Sequence, residues 1–109
     1  MASPLFQNYL RANRKRLALS QADVAFLVGK EIGANISRYE NLTQAPSLEN
    51  ALAFEIIYRL SVGELFGGLY GQLEKEIAER AKVLSEKNDP RSGGQAAKRR
   101  AALLELSRV

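Results

Sequence analysis

Residues 19–41 read LSQADVAFLVGKEIGANISRYEN. Ser20 is a helix N-cap candidate, and Asp23 three residues on completes a short capping box. Leu19 before the cap and Val24 after it are spaced for a hydrophobic staple. Val24, Ala25, Leu27 and Val28 continue an apolar side, and Gly29 then offers the left-handed backbone that ends a helix. After the connection Lys30-Glu31-Ile32-Gly33, the run ANISRYEN, 34–41, has the pattern of a second helix. That second helix is thinly apolar. Ile36 and Tyr39, three apart, are its only clear core positions, so Asn35, Ser37 and Arg38 are left facing away from any core.

Two short helices joined by a few residues containing glycine have the layout of a helix-turn-helix, whose second helix enters the major groove of DNA. The composition of the second helix then has a reason. Small Gly33 and Ala34 let the backbone approach base edges, Asn35 and Ser37 both donate and accept, and Arg38 can fork onto guanine or a phosphate.

The rest of the chain bounds the alternatives. It has 109 residues, enough for one small domain and an appendage. Cysteine, histidine and tryptophan are absent. Disulfides, thiolate chemistry, Cys/His zinc sites and the commonest general base go with them. No cofactor or metal is implied, and an enzyme is not expected. The net charge of +4 and pI near 9.6 permit a polyanionic partner without requiring one. The sequence has no stretch of 18 apolar residues for a membrane span and no signal-peptide layout at its start, so a cytoplasmic protein is the default expectation.

Upstream, Ser3-Pro4 reads as a cap followed by proline at the first helical position, and Leu5, Phe6, Tyr9, Leu10 and Leu17 as an apolar stripe, giving a helix over roughly 4–16. Downstream, Ser47 caps LENALAFEIIYRL. That helix is apolar over most of its circumference and is expected to be central. Ser61 caps again before VGELF. From Glu64 to Glu86 an apolar stripe of mostly four-residue spacing runs beside a charged face, with a bend or break expected at Gly67, Gly68 and Gly71. NDPRSGG is a linker by composition; QAAKRRAALLELSRV has the pattern of a short last helix, but with nothing to hold it down a frayed tail is the default expectation.

With these residues in view, the stretch LRANRKRLALSQADVAFLVG…ISRYEN…APSLENALAFEIIYRLSVGELF resembles the lambda-repressor/Cro-type, or XRE-like, helix-turn-helix family over about residues 5–66. The marks are the L-S-Q start, Ala25 and Gly29 four apart, I-S-R-Y-E-N, P-S-L-E-N and the closing E-L-F. The resemblance implies an all-α fold with a five-helix repressor-like domain over 4–66, to which the residue pattern adds a long amphipathic helix over 67–87 and a linker and basic tail over 88–109. It implies a transcriptional regulator, in particular a prokaryotic or phage-borne repressor, binding a double-stranded DNA operator as a homodimer. Gln21 would contact a phosphate and brace the second helix. Gly33, Ala34, Asn35, Ser37 and Arg38 would face the groove, with Lys30 in the connection beside them, and Asn41 and Thr43 would touch phosphates. Arg14 and Glu40 occupy positions that often form an ion pair.

Three positions depart from the family pattern. One extra residue lies between Gly29 and Ile36, Glu55 replaces a small apolar residue and must reach solvent or a cation, and Leu42 stands where glycine often follows. The stripe of Leu65, Leu69, Leu73, Ile77 and Leu84 either folds back as extra core or pairs with a second chain. Lys98-Arg99-Arg100 either adds non-specific DNA affinity or belongs to a segment that binds a partner protein, as in an antitoxin.

Overall fold

The computed structural model describes residues 8–29, 34–87, 91 and 93–108. Among these every regular element is a helix: α1 (Leu10–Arg16), α2 (Gln21–Leu27), α3 (Ala34–Glu40), α4 (Leu48–Tyr58), α5 (Val62–Leu65), α6 (Gly67–Glu86) and α7 (Gly94–Leu106). The chain divides into two compact units, Met1–Tyr70 and Gly71–Val109, the division falling just after the first turn of α6.

Local chemistry sets the helix starts. Ser20 Oγ accepts from the Asp23 N–H while the Asp23 carboxylate accepts from the Ser20 N–H, both at 2.9 Å. Hydrogen bonding from Ser20 to the carboxylate, from its backbone N–H foremost and its side chain next, holds the Asp23 carboxyl below the usual range. Ser47 caps α4 through the Asn50 N–H. Ser61 and Glu64 make a second reciprocal box at α5. Glu55 lies on the exposed side of α4, and its carboxylate accepts from the Val62 N–H at 2.9 Å, reinforcing the same helix start.

Left-handed residues set four of the ends. Gly29 has φ +83°, but Ala18, Leu42 and Arg59, with φ 58°, 66° and 60°, do the same work without glycine's freedom. At Ala18 and Leu42 the chain closes the paired bonds of a Schellman turn. Ala18 N–H donates to Lys15 and Leu19 N–H to Arg14; Leu42 N–H donates to Tyr39 and Thr43 N–H to Arg38.

The first unit has one core, to which all five of its helices contribute: Leu10, Val24, Ala25, Ile36, Tyr39, Phe54, Tyr58 and Leu65. Tyr39 meets Phe54 edge to face at 5.9 Å, and Phe54 stacks on Tyr58 at 6.2 Å. Tyr9 N–H donates to the Leu65 carbonyl at 2.8 Å, closing the chain's first described turn onto α5.

Four expectations change. The first helix begins at Leu10 rather than near residue 4, because the Asn8 side chain accepts from the Leu10 N–H and holds residues 8 and 9 out of the helix. Ser3 and Pro4 lie outside the described residues, as does most of NDPRSGG. Helix α4 is only half central: Ala51, Phe54 and Tyr58 are buried, whereas Leu48 and Ile56 are 75% and 72% exposed and Leu52 is exposed beside them. Its apolar residues wrap the helix, and a domain this small covers one side only. Leu65, expected on the stripe, is wholly buried in the first unit and unavailable to a second chain, because Phe66 breaks the helix before α6 begins. The C-terminal segment is not frayed: residues 94–106 form α7, in which Leu103 is buried.

Candidate nucleic-acid interface

Helix α3 is seven residues long and gives only Ile36 and Tyr39 to the core, at 1% and 4% exposure. Arg38 is exposed, and Asn35 and Ser37 are half-buried. A residue every three positions is enough to seat two turns of helix, and the remaining circumference stays open to a ligand.

Four side chains fix how α3 stands. The Arg14 guanidinium grips the Glu40 carboxylate with two bonds, Nε to Oε2 at 2.7 Å and Nη2 to Oε1 at 3.1 Å. Arg14 Nη1 also donates to the Leu19 carbonyl, so one side chain ties α1, the start of α2 and the end of α3. Gln21 Nε2 adds a bond to Glu40 Oε1 at 3.2 Å. Hydrogen bonding to Glu40 raises the Arg14 pKa further, so the guanidinium stays charged. Asn8 Nδ2 donates to the Tyr39 carbonyl and Asn50 Nδ2 to the Tyr39 hydroxyl, so α3 is held from both ends of its anchoring tyrosine.

The exposed rim is ordered by local bonds. Asn41 Nδ2 donates to Ser37 Oγ at 3.2 Å, which occupies a lone pair of that hydroxyl. The Thr43 N–H and hydroxyl both donate to the Arg38 carbonyl, fixing the residues just past the helix. Gln21 has a second amide hydrogen beyond the one given to Glu40. The structure thus brings Gln21, Arg14 and Glu40 into one cluster, and Ser37, Arg38, Asn41 and Thr43 into another around the end of α3. Ala34 opens α3; Lys30 and Gly33 lie outside the described residues, as does the turn with the extra residue.

Sequence reasoning missed Asn8 and Asn50. For Asn50 a signal exists: a weak helix former placed one turn into an otherwise apolar helix invites the question of what it bonds. Nothing local marks Asn8.

Two short helices crossing through Val24, Ala25, Ile36 and Tyr39, the second showing its polar side outward, define a helix-turn-helix protein. A helix-turn-helix family model matches residues 10–65, just over half of the chain, and the protein belongs to this XRE-type family of DNA-binding regulators. No curated protein and no solved structure matches it. Among the described residues no helix is long and apolar enough to cross a membrane, and no acidic cluster is placed to hold a metal ion.

Proposed function

We propose that the protein is a sequence-specific repressor that occupies a double-stranded DNA operator as a dimer, reading the major groove with residues 33–41. The observation that carries this reading is the outward side of α3. Arg38 is free of the core and Ser37 keeps a half-buried hydroxyl beside it, while the helix itself is clamped by Arg14, Glu40 and Gln21. A fixed rod with a polar, unshielded side suits base-edge recognition, because the ordering cost is met before DNA arrives. In this reading Arg38, Ser37 and Asn35 contact base edges with the backbone of Gly33 and Ala34 close by. Lys30, Asn41, Thr43 and the second amide hydrogen of Gln21 contact phosphates, setting register.

The dimer seam is placed on α6. Leu69, Leu73, Ile77 and Leu84 are each between 36% and 46% exposed, and the first three follow at four-residue intervals along one side of that helix. A dimer would supply two copies of α3, as a two-fold operator with half-sites about 34 Å apart requires. Repression then follows from occupancy.

Selection of bound fragments from random duplex DNA, followed by footprinting, tests the reading. A symmetric motif is expected, and Arg38→Ala should weaken binding to it by roughly 1–3 kcal/mol. Failure to enrich any motif, or an unaltered footprint with Arg38→Ala, refutes base reading by α3. Leu73→Glu combined with Ile77→Glu should yield a monomer in sedimentation; a persisting dimer removes the seam from α6.

A further inference from the structure

The positive charge of this protein is concentrated away from the proposed DNA-reading unit. Residues 71–109 carry nine lysines and arginines against six acids, whereas residues 1–70 carry seven against six. Within the second unit the excess gathers at one place. The end of α6 and one side of α7 line an open groove of about 750 Å³. Lys87, Arg91, Arg99 and Arg100 line it, and Glu86 is the only carboxylate among the described residues that do. Leu103, Leu104 and Ala97 supply apolar lining, and Leu104 is exposed within it.

We propose that this groove is a docking site for an acidic amphipathic segment of a partner protein. Its carboxylates would pair with the cationic rim, and one or two of its apolar side chains would cover Leu103 and Leu104. The shape and lining together select this occupant. A phosphate backbone resting on the rim would satisfy the cations and leave the exposed Leu104 wet. A small inorganic anion uses the cations and ignores the apolar lining. A second copy of the same groove meets it with like charge, which opposes a symmetric contact. An acidic helix with leucines on one side satisfies both halves of the lining at once. None of these residues lies on α3 or its clamps, so this site stands or falls independently of base reading.

The test uses the full chain and a fluorescent peptide of about 15 residues with leucine at every fourth position and glutamates between, against its Glu→Gln twin. Saturable binding of the acidic peptide is expected, weakening with salt, with little binding of the twin. Lys87→Glu combined with Arg100→Glu should lower peptide affinity by about tenfold or more, because each reversal replaces an attraction with a repulsion. Leu104→Ser should weaken it without changing the salt dependence. Unchanged helicity by circular dichroism, and unchanged affinity for a mixed-sequence duplex of about 30 base pairs, keep these losses local to the groove. No saturable peptide binding, or equal binding by the charge-reversed protein, overturns the proposal. A charge-reversed protein that loses duplex affinity while keeping the peptide overturns it as well and makes the groove a nucleic-acid clamp.

Discussion

Asn50 Nδ2 donates to Tyr39 Oη at 3.1 Å inside the core of the first unit, with Asn50 only 5% exposed. The bond runs from the first turn of α4 to the side chain that anchors α3. Asn50→Ala strips the tyrosine oxygen of its buried donor, so a loss of about 1–3 kcal/mol is expected in urea unfolding. Pairing Asn50→Leu with Tyr39→Phe should cost less than the sum of the two single changes, since no polar atom is then stranded. An unmoved midpoint for Asn50→Ala would mean the bond carries no stability.

The Arg14–Glu40 pair is shielded as surface ion pairs are not: the two side chains are 12% and 2% exposed. Removing the arginine leaves a buried carboxylate held by Gln21 alone. Arg14→Ala is expected to destabilise by roughly 3 kcal/mol or more, and Arg14→Met with Glu40→Met by clearly less. Thermal unfolding of the three variants checks this, and equal losses for single and double changes would contradict it.

Tyr58 buries a hydroxyl that has no hydrogen-bond partner among the described residues. Burial, with the Glu40 charge adding to it, pushes its pKa up to about 12. Tyr58→Phe removes a stranded polar atom and is expected to be neutral or stabilising by up to about 1 kcal/mol at neutral pH. The sign of the alkaline effect follows from the raised value. Above the ordinary pKa of 10.0 the unfolded tyrosine loses its proton first, so folding weakens as pH rises towards 12. The phenylalanine variant should lack that part of the alkaline decline in a melting-temperature profile. Identical profiles would refute the assignment.

Ala18 is exposed and left-handed at φ 58°, closing α1 through its Schellman turn. A Cβ in that region costs about 1 kcal/mol or somewhat more, so Ala18→Gly is expected to stabilise by about that amount, less glycine's added freedom in the unfolded chain. Leu42→Gly removes the same strain but also the half-buried leucine side chain, so its gain should be smaller. Denaturant midpoints in which Ala18→Gly falls below the parent protein would contradict the strain argument.

Capping and spacing were legible wherever they act over a few residues. Ser20 with Asp23, Ser47, Ser61 and Gly29 place the boundaries of α2, α4 and α5 from sequence alone, because an N-cap bond spans three residues and the left-handed glycine follows directly on the helix end. The division of α3 into a buried pair and an outward side was equally readable, since Ile36 and Tyr39 are its only large apolar residues. Helix α4 was not. Leu48, Leu52 and Ile56 are as apolar as Phe54, and no periodicity within the helix tells which side the domain will cover. The start of α1 was misread for a related reason: the stripe from Leu5 to Leu17 has helical spacing, but one asparagine side chain bonding two residues ahead stops the helix at Leu10.

The sequence by itself determined where α2, α4 and α5 start, where α2 stops, and that α3 keeps little of itself for a core. Those are decided by hydrogen bonds and backbone preferences within a few residues. Only the tertiary structure decided what grips Tyr39 and Glu40, that Leu65 turns inward, and that Lys87 and Arg100 come together over Leu103 and Leu104. Such contacts join residues far apart in the chain: Asn8 and Tyr39 are separated by 31 positions, and Tyr9 and Leu65 by still more. No local rule encodes them, because their partners are chosen only when the helices pack.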